Sequence, residues 1–280
     1  MSFSQTGPRT LEYRTKFIRS KSMSIHTAYS IFSFLFGLVL GSFGNVCIYR
    51  LPLGKSIISP PSSCPNCGSR ISFYDNIPVL SYIILRGRCR YCKAPISPQY
   101  PFVELTTGLM SLALFIRYGI TYQYILYLLF MGSLLVITFI DLHHKIIPDL
   151  ISIPGIVVGF MSSLILPYPT WIESAIGIVG GGGALLLIAV IFEKLTGKEG
   201  MGGGDIKLLA MIGAWMGWKA LPFVVLISSI LGIIIGGGAL LVSGKGMRAK
   251  IPFGPFLAMG TIVYFFFGDP IIQWYASLLV

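Results

Sequence analysis

Eight apolar runs leave this chain few folds to choose from. They cover residues 27–49, 101–118, 122–140, 150–167, 172–192, 206–218, 221–243 and 252–267. A helix needs about 20 mainly apolar residues to cross the hydrocarbon of a bilayer. The sixth run is short, and 271–280 is a further apolar tail or an extension of the eighth. Charged residues make up only 11% of the 280-residue chain and hydrophobic ones 54%, whereas a soluble domain carries about 25% charged residues. The expected fold is therefore an all-α polytopic membrane protein of about eight transmembrane helices. The polar remainder is large enough for one small domain, in the first connection.

The net charge is +11, and its placement is more informative than its sum. The odd-numbered connections hold Arg50, Lys55, Arg70, Arg86, Arg88, Arg90, Lys93, Lys145, Lys194, Lys198, Lys207, Lys245, Arg248 and Lys250; the even ones hold only Arg117 and Lys219. Cationic loops stay in the cytoplasm, so this asymmetry places the odd connections inside and both termini outside. The charge thus points to a lipid bilayer and not to nucleic acid. The tail 1–24 conflicts with that topology: it carries Arg9, Arg14, Lys16, Arg19 and Lys21 against Glu12 alone. Natural translation is expected to start at Met23, with 1–22 an upstream extension; alternatively the first helix tolerates the violation, because later loops can dominate topology. The expected organisation is a basic extension (1–24), a first transmembrane helix (25–49), a cytoplasmic zinc-binding loop (50–100) and a transmembrane core (101–280).

The loop contains Cys64-Pro-Asn-Cys67 and Cys89-Arg-Tyr-Cys92, 21 residues apart. Two C-x-x-C knuckles at this range offer four thiolates that can converge tetrahedrally on zinc. The competing reading is two disulfides, which a reducing cytosol disfavours. Four thiolates leave no open coordination position, so the zinc would be structural. Gly68 permits the tight turn of the first knuckle. Cys47 has no partner cysteine and reads as ordinary packing.

Two carboxylates stand where a membrane protein avoids charge. Asp141 ends the apolar run 134–140, and Asp205 follows Gly202-Gly203-Gly204 and opens another apolar run. Ionisable groups at the edge of hydrocarbon are costly and usually functional. The charge-derived topology puts both at the same cytoplasmic boundary. For Asp205 the competing reading is a helix cap after a flexible loop. Asp149 follows Pro148 and suits the start of a helix. His143 and His144 are adjacent and point in different directions on a helix, which argues against a metal pair. Glu104 reads as a helix-start charge or a weak methylation or substrate candidate. Arg50 and Lys207 read as contacts to anionic headgroups or to substrate.

Several segments together resemble the bacterial type IV prepilin leader peptidases of the bifunctional kind, GxGD-type intramembrane aspartic proteases. They are Gly41-Ser42-Phe43-Gly44-Asn45 with Tyr49-Arg50-Leu51-Pro52, the two knuckles with Asn76-Ile77-Pro78, Tyr100-Pro101-Phe102-Val103-Glu104, the 141–149 segment, Gly202-Gly203-Gly204-Asp205-Ile206-Lys207 and Pro252-Phe253-Gly254-Pro255. The chain departs from the family at Gln99, where arginine is frequent, and in its basic extension. The resemblance implies that Asp141 and Asp205 form a catalytic dyad; Asp149, Gly202, Gly204 and Lys207 are candidate supporting residues. It implies S-adenosylmethionine as methyl donor, prepilins or type II secretion pseudopilins as substrates, and an inner-membrane location. Two close carboxylates share one proton, so one can activate water while the other hydrogen-bonds the scissile carbonyl, without a metal. The alternatives are a peptidase alone, with the zinc loop structural or for docking, and, more remotely, an ion-coupled transporter, which would show interrupted helices in matching halves.

Overall fold

A computed structural model of the protein describes residues 8–197, 202–238 and 251–277, with side chains from residue 25 onward except at 269, 272, 275 and 276. The charges expected in the 1–24 tail, and Lys198, Lys245, Arg248 and Lys250, lie outside the described side chains. The chain divides into two compact units: Met1–Phe43 with Ser63–Tyr124, and Gly44–Ser62 with Ile125–Val280. The helices are α1 (Pro8–Arg50), α2 (Leu80–Ile84), α3 (Gln99–Tyr118), α4 (Tyr122–His144), α5 (Asp149–Ser162), α6 (Trp171–Thr196), α7 (Gly203–Met216), α8 (Ala220–Leu231, continued as a π-helix to Gly237) and α9 (Gly254–Ser277). Among the described residues there is no strand, only two isolated bridges.

Each of the eight apolar runs lies within or largely overlaps one helix. Four segments are long and apolar enough to cross a membrane: Ile25–Leu53, Tyr122–His144, Trp171–Thr196 and Ala220–Gly237. Asp149–Ser162 and Gly254–Gly268 are apolar but shorter. Val179, Leu187 and Ile188 on α6 are more than half exposed, and apolar faces of this extent are found where a protein meets lipid. The protein is a multi-pass helical membrane protein.

In the first unit, α1 and α3 touch through glycine. A Cβ on Gly37 would stand 2.5 Å from Ser111 Cβ, and one on Gly41 would stand 2.7 Å from Glu104 Cα. Small residues one turn apart let two helices approach to backbone contact, the usual device where apolar side chains gain nothing by leaving lipid. Polar pairs reinforce it. Ser111 Oγ donates to Ser33 O at 2.7 Å and lies 2.7 Å from Tyr124 Oη, all three buried.

In the second unit α7 is the centre, with every residue from Leu208 to Met216 buried. A helix enclosed on all sides needs no polar face, which accounts for a short run standing as a full structural element. Gly177 of α6 and Gly213 of α7 are mutually obligatory, since a Cβ on either would overlap the other's backbone. Trp215 Nε1 donates to Gly155 O of α5 at 2.8 Å and its ring stacks on Phe130 of α4 at 4.8 Å. Ser228 Oγ of α8 donates to Phe256 O of α9 at 2.9 Å. Glycines within the apolar runs serve close packing at Gly37, Gly41 and Gly181, whereas Gly183, Gly237 and Gly238 have open space where a Cβ would stand.

Candidate active site

Asp141 lies in the last turn of α4 and is 5% exposed. The helix ends three residues later, at His144, because Lys145 adopts a left-handed conformation (φ +56°) and returns its N–H to Asp141 O at 2.8 Å. This is the αL helix stop, here without the customary glycine. The chain then runs through Ile146 and Ile147 to Pro148, which caps α5 in an extended conformation. Pro148 therefore precedes the helix and Asp149 opens it.

The buried Asp141 carboxylate is held by a residue 113 positions away. Gly254 N–H donates to Asp141 Oδ2 at 3.0 Å. Gly254 is the first residue of α9, so its N–H has no partner within the helix and points outward with the positive end of the helix dipole. The approach requires glycine, because a Cβ there would stand 2.6 Å from the same carboxylate oxygen.

Asp205 sits in the first turn of α7, three residues after the N-cap Gly202. The helix N-terminus favours its anion. It is near enough to Asp141 for the two carboxylates to interact electrostatically. Asp205 is thus not the helix cap that the competing reading made it. Nor is the glycine run a free loop: Gly202 is extended (φ −72°, ψ 139°), while Gly203 and Gly204 are already helical. Their separate tasks could not be read from the run. A Cβ on Gly204 would stand 2.9 Å from Ile147 Cβ, whereas one on Gly203 would meet nothing within 4 Å. Ile147 also approaches Gly254, 3.3 Å from where its Cβ would be. One isoleucine side chain thereby packs against the two glycine positions that stand beside Asp205 and Asp141. Sequence reasoning missed Ile147 and the role of Gly254, although an isolated Gly-Pro ahead of an apolar run announces an unpartnered helix-start N–H.

Asp149 is separate from this pair. Lys207 Nζ contacts both its oxygens, at 2.7 and 2.8 Å, and both side chains are substantially exposed. The ion pair ties the start of α5 to α7; an exposed pair of this kind contributes about 0.2–1 kcal/mol. Lys207 is therefore an ion-pair partner of Asp149. His143 and His144 are exposed and belong to no metal-competent cluster among the described residues. Arg50 is buried, and its guanidinium donates to Ser56 O at 2.9 Å and Pro60 O at 2.7 Å. It folds the start of the first connection onto the end of α1, in place of the expected lipid contact. Glu104 is buried in the second turn of α3, beyond the helix start, and its Oε2 accepts from Val79 N–H at 2.7 Å. Val79 has φ +61° and ψ −50°, a strained γ-turn geometry for a β-branched residue. The carboxylate holds that strain in place.

The four cysteines Cys64, Cys67, Cys89 and Cys92 converge, with all sulfur atoms within 4.8 Å of one another. Cys64 and Cys92 Sγ are 3.8 Å apart, and a tetrahedron of sulfurs at about 2.3 Å from a zinc ion has edges of about 3.8 Å. The two knuckles repeat one plan. Cys64 N–H donates to Ser69 O and Gly68 N–H to Cys64 O; Cys89 N–H donates to Ala94 O and Lys93 N–H to Cys89 O. Gly68 (φ +70°) and Lys93 (φ +61°) occupy the same left-handed position, so the second knuckle makes its turn without glycine. Ser69 beside Cys67, the backbone N–H groups of Cys92 and Tyr91 at Cys89, and Asn66 beside Cys92 hold these three thiols below the ordinary thiol range. Such thiols are prepared as metal ligands. Arg90 forks onto Asp75 at 2.6 and 2.7 Å and closes the module between the knuckles.

The second unit thus brings two buried or half-buried carboxylates, each at a helix end, within electrostatic reach of one another, and the first unit carries a tetracysteine module fit for a metal. A model of the bacterial peptidase A24 N-terminal domain matches residues 35–118, and one of the type IV leader peptidase family matches residues 128–237. A prepilin leader peptidase/N-methyltransferase of Aeromonas hydrophila is 39% identical over 268 residues, 87% of this chain and 92% of its own. Proteins of the same description from Pseudomonas putida and Pseudomonas aeruginosa are 39% and 36% identical, over 86% and 89% of this chain and 90% and 93% of theirs. The chain belongs to the type IV leader peptidase family. No solved structure matches it.

Proposed function

We propose that the protein cleaves the leader from type IV prepilins or type II secretion pseudopilins and then N-methylates the new N-terminal residue. The observation that carries this reading is that Asp141 and Asp205, from two helix ends, are near enough to interact electrostatically. Two carboxylates that interact in this way can share a proton. The ionised one takes a proton from water as the water attacks the scissile carbonyl; the protonated one hydrogen-bonds the carbonyl oxygen and then supplies the proton to the leaving amine. Gly254 N–H fixes Asp141 for this exchange. A peptide bond inside a helix is shielded by its own hydrogen bonds, so the substrate must be extended where it is cut. The open face of Gly203 and the extended Gly202 leave room for such a strand beside Asp205. Asp149 and Lys207 brace α5 against α7 around it.

The sites would lie at the cytoplasmic side of the bacterial inner membrane, with about eight spans and the 50–100 connection inside. The four cysteines would hold structural zinc. When bound, S-adenosylmethionine supplies the methyl group. Among the described residues no strand–turn–helix cradle of the soluble nucleotide-binding kind exists to receive it, and what the protein must do is present a neutral N-terminal amine. Similarity over nearly the full length of proteins named for both activities favours the bifunctional reading over a peptidase alone.

Co-expression with a prepilin, read by the N-terminal mass of the pilin, tests the proposal. Asp141→Asn and Asp205→Asn should leave the leader attached, and Asp149→Asn should still cut. Cleavage by Asp205→Asn would overturn the aspartic mechanism, and a cut but unmethylated product from the unaltered protein would remove the transferase half.

A further inference from the structure

The zinc module gathers more positive charge than its own fold neutralises. A cavity of about 540 Å³ is walled by Arg86, Arg88, Arg90 and Lys93 together with Ile84, Leu85 and the zinc-site Cys89. Among the described residues only Arg90 of the four cations has an ion pair, with Asp75, and no carboxylate lines the cavity. The cations are held there by the backbone. Arg86 and Gly87 are both left-handed (φ +51° and +66°), and Lys93 is too. The turn is tied by Gly87 N–H to Tyr82 O at 2.9 Å and Ile96 N–H to Gly87 O at 2.7 Å. Conformations of this kind persist only where the surroundings impose them, and they gather at ligand clamps. A zinc ion held by four thiolates would carry a net negative charge of two, and Asp75 adds one more, which together offset only part of the five cations Arg70, Arg86, Arg88, Arg90 and Lys93 of the module; an anion in the cavity would offset the rest. Beside the cavity, Ile83 and Ile84 are each 64% exposed on α2. A freely soluble anion has no use for two bare isoleucines, but a lipid does. The module also follows directly on the candidate span that ends at Leu53, which keeps it near a membrane surface.

We propose that this cavity seats the phosphate of an anionic phospholipid headgroup, with Ile83 and Ile84 entering the adjoining acyl region. Arginine forks suit phosphate oxygens in pairs, and basic residues at an anionic surface are attracted to it additively. The inference is independent of the peptidase and methyltransferase assignments.

The full-length protein in nanodiscs of neutral phosphatidylcholine, or of the same lipid with increasing phosphatidylglycerol, would be followed by hydrogen exchange of peptides spanning 80–93. Phosphatidylglycerol should slow exchange there severalfold, and salt should reverse it. Arg86→Gln and Arg88→Gln should each raise the phosphatidylglycerol fraction needed for the same protection about fivefold. Equal exchange in both lipids, or an unchanged lipid dependence in the arginine variants, overturns the proposal. So does equal protection by inorganic phosphate in neutral discs, which would make the occupant a free anion. Knuckle peptides 64–70 in neutral discs check that each variant is folded. Ile83→Ser with Ile84→Ser keeps every charge and should weaken protection in anionic discs; full protection in that variant would exclude lipid as the occupant.

Discussion

Alanine at Gly254 should disable cleavage while leaving the fold intact. Its Cβ would lie 2.6 Å from Asp141 Oδ2 and 3.3 Å from Cγ. The atom in the way is the end of a side chain that can rotate, so the helices need not part; the carboxylate moves instead. An ordinary contact is 3.4 Å or longer, so the oxygen must retreat by roughly 0.8 Å, and a misplacement of about 1 Å in a reacting group costs on the order of 10²-fold. The same retreat weakens the 3.0 Å bond from Gly254 N–H. A hydrogen bond to a charged group contributes about 1.5–3 kcal/mol, which is roughly ten- to 150-fold by itself. The two estimates describe one displacement and are not additive; a fall in kcat of about 10²-fold with KM little changed is expected. The assay is prepilin cleavage by purified variant, alongside thermal unfolding. Gly183→Ala on α6 is the internal control: nothing lies within 4 Å of its Cβ, and alanine is favoured over glycine in a helix by about 1 kcal/mol, so its rate should equal that of the unaltered protein. Wild-type cleavage by a folded Gly254→Ala protein would refute the reasoning, since Asp141 would then not depend on where Gly254 holds it.

Further outcomes follow from the same geometry. Gly177→Val should prevent stable assembly of α6 on α7, because its Cβ would overlap the Gly213 backbone; the loss should exceed the 1–3 kcal/mol usual for overpacking and appear as aggregation on gel filtration in detergent. Lys93→Gly should stabilise the second knuckle by roughly 1 kcal/mol by releasing its left-handed strain, seen as slower metal loss to a chelator. Arg90 holds the Asp75 carboxyl below its ordinary range, so this pair stabilises the module fully above the ordinary carboxylate value of about 3.9 and progressively less as pH falls below it. Hydrogen exchange of 73–90 against pH would show that slope, and Asp75→Asn should flatten it. Chelating the metal from the tetracysteine site should unfold the knuckles yet leave prepilin cleavage in place, measured by pilin mass with and without chelator.

The sequence by itself determined the helical membrane class, because apolar runs of spanning length have no other way to satisfy their backbone. It also marked the four cysteines, whose paired knuckles sit at metal-binding spacing, and singled out Asp141 and Asp205, charged residues at apolar boundaries. These are local properties, legible along the chain. What each polar residue does depends on residues far away in sequence, and only the tertiary structure decided it. Asp149 looks much like Asp141 in sequence, yet Lys207, 58 residues on, takes it as an ion-pair partner. Arg50 and Glu104 look available, yet each is buried and spent on backbone groups, Arg50 on Pro60 O ten residues on and Glu104 on Val79 N–H 25 residues back. Gly203 and Gly204 are adjacent and chemically identical, and the position of Ile147 makes only the second one obligatory. Asp141 owes its setting to the N–H of Gly254, 113 residues away, because a buried charge needs a donor and the first amide of a helix has no partner within its own helix.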